Sequence, residues 1–94
     1  MNDEFVRAEI VVKGLVQGVG FRYFVLRNAN SFGLVGFTKN LYSGEVYTVA
    51  EGSKLMLDQF CKQVKLGPSH AHVADYNIRW KEATHEFSRF EVRY

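Results

Sequence analysis

The chain has 94 residues, room for a single domain (residues 1–94) with one core, and its 47% hydrophobic, 23% charged and 15% aromatic content excludes disorder. One cysteine, Cys61, excludes a disulfide framework and fits a reducing compartment, the cytoplasm, while a net charge of +2 is too mild to mark a polyanion binder. No apolar run approaches the roughly 20 residues of a membrane span, and Met1-Asn2-Asp3-Glu4 is not the basic start of a signal peptide.

Phe5 to Lys13 alternates, with Val6, Ala8, Ile10 and Val12 on one face and Arg7, Glu9 and Lys13 on the other, which predicts a half-buried strand. Gly14 to Gly20 then breaks the pattern. From Phe21 the period becomes helical through Phe24, Val25, Ala29 and Phe32, and Gly33 stands at the expected C-terminal cap. Leu34–Asn40 and Glu45–Glu51 read as strands joined by the hairpin-length turn Leu41-Tyr42-Ser43-Gly44. Ser53 offers an N-cap for a second helix, whose apolar stripe is Leu57, Phe60, Cys61 and Val64 and whose end is marked by Gly67-Pro68. Lys62 and Lys65 near that end suit the helix dipole. After a polar loop, Ser69 to Ala74, the alternations Tyr76/Ile78/Trp80 and Phe90/Val92/Tyr94 predict two further strands. The order implies an α+β domain of the ferredoxin-like split βαβ type (βαββαβ), with one antiparallel sheet and two helices on one face.

The stretch most informative about chemistry is Gly14-Leu15-Val16-Gln17-Gly18-Val19-Gly20-Phe21-Arg22. It leaves a strand through a glycine-rich turn and enters a helix. Glycines let successive N–H groups converge, the helix start adds unpaired N–H groups, and Arg22 can grip two anion oxygens at once. That combination suits a phosphate, although a bland glycine turn explains the glycines equally well. No known nucleotide loop matches: Gly20 is followed by Phe21-Arg22 and not Lys-Ser/Thr, and Tyr23 stands where a dinucleotide fingerprint needs glycine. Val16 occupies the place of a thiol-phosphatase cysteine. In Gly36-Phe37-Thr38-Lys39-Asn40, Asn40 either holds a water molecule with its amide or simply begins the hairpin turn.

The nine-residue loop, with Asn40 following in a Gly-aromatic-x-Lys/Arg-Asn block, resembles the acylphosphatases, and the likeness extends through Ser43-Gly44-Glu45-Val46 to the ending Phe90-Glu91-Val92-Arg93-Tyr94. Phe37 replaces a common tryptophan, and Leu41 stands where several relatives carry threonine, which removes a hydroxyl. The resemblance implies metal-independent hydrolysis of the carboxyl–phosphate bond of acyl phosphates, with catalytic residues Arg22 and Asn40. The phosphate would lie on the loop of Gln17, Gly18, Val19, Gly20, Phe21 and Arg22, held by backbone amides and the Arg22 guanidinium. Asn40 would orient the attacking water. The implied ligands are an acyl phosphate and inorganic phosphate as product and inhibitor, with no cofactor, metal, nucleic acid or membrane, and a monomeric state.

Other tempting residues read as structural. His70 and His72 lie one residue apart with only Asp75 nearby, a weak ligand set, and His85 reads as a surface residue. Cys61 falls on an apolar stripe, where a thiol behaves as a small hydrophobe. The same fold can present aromatics to single-stranded RNA, but the third strand, Glu45 to Glu51, has acidic ends and one aromatic, unlike such binders. A domain repurposed to sense phosphate or handle a carbamoyl group is the remaining alternative.

Overall fold

The elements run β1 (Phe5–Leu15), α1 (Phe21–Ser31), β2 (Val35–Asn40), β3 (Val46–Ser53), α2 (Lys54–Leu66), β4 (His72–Glu82) and β5 (Phe90–Arg93). The computed structural model describes residues 3–94; Met1 and Asn2, half of the N-terminal stretch weighed against a signal peptide, lie outside the described residues. The alternation of β1 places Ala8, Ile10 and Val12 in the core, facing the apolar stripes of both helices. On α1 the buried stripe is Phe21, Val25 and Ala29; on α2 it is Leu57, Phe60, Cys61 and Val64. Burying a side chain such as Phe60 or Leu57 contributes about 1.5–3 kcal/mol each, so these two short helices are held by their packed faces.

The caps follow local chemistry. Leu34 N–H bonds to Ala29 O at 2.8 Å and Gly33 N–H to Asn30 O at 3.2 Å, a Schellman ending in which Phe32 is the cap and Gly33, at φ 68°, the left-handed residue after it. Ser53 Oγ accepts from Met56 N–H at 3.3 Å and starts α2.

Two boundaries differ from expectation. β1 continues to Leu15, and His72 to Ala74 are strand and not loop, because Gly14 pairs with Val73 and Leu15 with His72 beyond a bulge after Lys13. At that bulge Gly14 has φ 126°, and a Cβ would fall 2.2 Å from His72 O, so only glycine allows the approach.

The sheet order is β4-β1-β3-β2-β5. Four strands are antiparallel, as expected, but β5 lies parallel to β2, so the sheet is mixed and not wholly antiparallel. Topology gives the reason. β4 ends on one edge beside Val6, and β5 forms the other edge, so residues 83–89 must cross the sheet on the face away from the helices. β5 therefore starts at the same end of the sheet as β2.

That crossing rests on a buried carboxylate. Glu51, in central β3, is fully buried and accepts hydrogen bonds from Thr84 N–H (2.9 Å), His85 N–H (3.0 Å), Thr84 Oγ1 (3.1 Å) and Arg7 Nη1 (3.2 Å). Burial raises the Glu51 pKa, but the Thr84 and His85 N–H groups and Arg7 outweigh it and hold the carboxyl below its ordinary 4.5. Its contribution to stability is then complete above about pH 4.5 and is lost as pH falls through the lower folded value. Glu51→Gln, which points an amide N–H at these donors, is expected to cost about 3 kcal/mol at neutral pH and to flatten the acid limb of the stability curve. Urea denaturation of both proteins from pH 7 to 3 measures this, and an equally steep acid limb in the variant would assign it to other carboxyls.

Candidate active site

β1 ends at Leu15, β2 at Asn40 and β5 at Arg93, and all three ends meet at the end of the sheet where α1 begins. The chain from Val16 to Gly20 links β1 to α1 there. Val16 and Phe21 are buried and anchor the loop from below, while Gly18 (φ 74°) and Gly20 (φ 76°) take left-handed conformations that curl the backbone between them. Gly20 is the N-cap, with no side-chain cap and no acidic residue in the first turn. The first intrahelical bond runs from Phe24 N–H to Gly20 O (3.1 Å), so the N–H groups of Phe21, Arg22 and Tyr23 keep the free donors of a helix start.

Loop, helix start and Asn40 together line a cavity of about 190 Å³. Its walls are Gly18 and Gly20, the buried Val16 and Phe21, and the residues Arg22, Tyr23 and Asn40. No Asp, Glu, Ser, Thr, Cys or His contributes to it. Its field is therefore set by N–H groups and one guanidinium, which favours a tetrahedral oxyanion. Asn40, the last residue of β2, makes no side-chain hydrogen bond among the described residues, so its amide is free. A neighbouring hollow of about 440 Å³ shares Asn40 and is bounded by Gln17, Lys39, Leu41, Tyr42 and Tyr94.

Three features of the site were not readable from the motif. Gln17 was expected among the phosphate-binding residues, but its side chain faces the turn: Nε2 donates to Leu41 O (2.8 Å) and Glu45 O (3.0 Å). Both amide protons are thus used to tie the loop to the hairpin that follows Asn40, which sets the spacing between the two halves of the site. The second feature explains why Leu41 can replace threonine: this position works through its backbone, N–H to Glu45 O (2.8 Å) and O from Gln17 and Gly44. Third, Arg22 Nη1 donates to Arg93 O (2.9 Å), and its guanidinium lies 4.7 Å from the centre of the Tyr94 ring. No sequence signal pairs Arg22 with the last two residues, because that contact depends on β5 lying beside β2.

The residues read as structural remain so. Cys61 is buried on α2, and burial, with Asp58 nearby, pushes its thiol up to about 12, far from a reactive thiolate. His70 lies in the turn before β4 and His72 within it, and no group of three potential metal ligands occurs among the described residues. Phe37 points away from the site, with Tyr47 and Phe87 ring centres at 5.8 and 5.9 Å.

A family model described as Acylphosphatase matches residues 8–92. The chain belongs to the acylphosphatase family. It is 45% identical over 89 residues to the acylphosphatase of Archaeoglobus fulgidus, an alignment covering 95% of this chain and 99% of that one. Against the acylphosphatase of Moorella thermoacetica the identity is 42% over 88 residues, covering 94% of each chain. The crystal structure of acylphosphatase from Bacillus subtilis superposes with a TM-score of 0.91 at 37% identity, covering 95% of this chain and 99% of that one. The acylphosphatase resemblance read from the loop and the Asn40 block thus holds for nearly the whole chain, and so does the ferredoxin-like α+β fold. No helix is long and apolar enough to cross a membrane.

Proposed function

We propose that this member of the acylphosphatase family hydrolyses acyl phosphates at the cavity between the Gln17–Arg22 loop and Asn40, without a metal ion. The observation that carries the reading is the composition of that cavity: N–H donors, one guanidinium and one free amide, with no side chain suited to covalent catalysis or conventional general base catalysis. Such a set positions and stabilises charge, which is what phosphoryl transfer from a good leaving group requires.

In this mechanism the phosphoryl oxygens take N–H groups of the loop and helix start, and Arg22 closes on two of them. Asn40 holds a water molecule in line with the bond between phosphorus and the carboxyl oxygen. The water oxygen forms its bond to phosphorus as that bond breaks, and the carboxylate leaves with the electron pair. A phosphoryl oxygen of the substrate accepts the water proton, giving inorganic phosphate. Every residue used comes from one chain, which supports a monomer, and the unpaired, buried Cys61 supports a reducing compartment such as the cytoplasm. The crossing residues 83–89, seated on Glu51 in the central strand, obstruct the sheet face that an RNA-binding domain of this topology would offer.

The test is hydrolysis of benzoyl phosphate by the intact chain with excess chelator present. Activity is expected to persist, and inorganic phosphate is expected to inhibit competitively and to raise the thermal midpoint, with chloride at matched ionic strength doing much less. Complete loss in chelator, restored by a divalent ion, would overturn the metal-free mechanism. Phosphate that neither inhibits nor protects would remove the cavity as the site.

A further inference from the structure

We propose that Arg93 is a positioning residue for Arg22, held from the opposite face of the sheet by an aromatic clamp of Phe37 and Phe87. The inference rests on the reading that Arg22 grips the phosphate. Arg93 ends β5 with its side chain on the face away from the helices, in register with Lys39 of β2. There its guanidinium lies 4.1 Å from the centre of the Phe37 ring and 6.0 Å from that of Phe87, while Nε bonds to Glu91 Oε2 at 3.0 Å. The two rings meet at 5.9 Å and 58°. Phe87 belongs to the crossing segment, which Glu51 fastens through Thr84 and His85, and Arg7 lies 5.7 Å from its ring.

The carbonyl of this same Arg93 accepts from Arg22 Nη1, and the next residue, Tyr94, supplies the ring beside the Arg22 guanidinium. One N–H and one face of Arg22 are thereby fixed to the end of β5, and its other N–H groups remain for the anion. A free arginine loses rotamer freedom on binding; one already held at one edge loses less, so the clamp should appear as phosphate affinity. Lys39 and Arg93 are like charges in register on the same face, so planar stacking on Phe37 and Phe87, together with Glu91, is what keeps the strand end in place.

The experiment measures the dissociation constant of inorganic phosphate by calorimetric titration of the full chain, with circular dichroism and the thermal midpoint recorded for each variant. Phe87→Leu and Arg93→Lys are each expected to weaken phosphate binding about three- to ten-fold, the range over which packed networks couple distant groups. Phe87→Tyr keeps the ring and should bind as the parent does. In an Arg22→Gln background, Arg93→Lys should add nothing, because its effect passes through Arg22. Native affinity in folded Phe87→Leu and Arg93→Lys, or an Arg93→Lys effect that persists without Arg22, would overturn the inference while leaving the phosphate site standing. Absence of phosphate binding by the parent chain would overturn the phosphate site and this inference with it.

Discussion

Arg22→Gln is expected to weaken inorganic phosphate as an inhibitor and to lower kcat on benzoyl phosphate together, reducing kcat/KM about 100-fold or more. Arg22 lines the cavity, and its guanidinium would contact phosphoryl oxygens in the ground state and in the transition state alike. Loss of charge-assisted hydrogen bonds of about 1.5–3 kcal/mol each therefore acts on both constants. Arg22→Lys should recover little. An ammonium is a point charge: it cannot accept the flat contact with Tyr94, donate to Arg93 O and offer a two-pronged edge to phosphate at once. The measurement is a pair of constants per variant, kcat and the phosphate inhibition constant, on protein whose fold is checked by circular dichroism. A lysine variant with parental values in both would show that charge alone suffices there.

Asn40→Ala is expected to leave phosphate affinity near the parental value and to lower kcat by about 10²-fold or more, the scale of a lost positioning group. Asn40 stands at the border of the two hollows, ends a strand whose pairing with β3 reaches Val46, and has its amide free. Its backbone is held by the ladder, so truncating the side chain should remove the water contact without moving the loop. The contrast with Arg22→Gln separates the two roles. If Asn40→Ala lost phosphate affinity as severely, Asn40 would be a phosphate ligand and the water would need another holder; a parental kcat would remove it from the mechanism.

Local patterns carried most of the fold. The period of two in β1, the switch to 3.6 at Phe21, the Ser53 cap and the Gly33 and Gly67 stops each involve residues within a few positions of one another, and each stands in the structure. The stripe Leu57, Phe60, Cys61 and Val64 is buried for the same reason: an amphipathic helix has one face to hide. The site was partly legible as well. Glycines at 18 and 20 followed by Arg22 mark a curled loop at a helix start, and those are properties of consecutive residues.

Tertiary structure decided what distant residues do to one another. That β5 runs parallel to β2 follows from the crossing of residues 83–89 over the sheet, and alternation in Phe90 to Tyr94 carries no direction. Alternation likewise places Glu51 opposite the core face without showing that the crossing segment buries it and bonds its carboxylate. Gln17 carries the plainest lesson. Its place in the motif suggests a phosphate ligand, while its amide ties the loop to Leu41 and Glu45, more than twenty positions away. Local sequence sets backbone conformation through sterics and period; the partners of Gln17, Arg22 and Glu51 are set by which strand ends the sheet order brings together, and that order is a property of the whole chain.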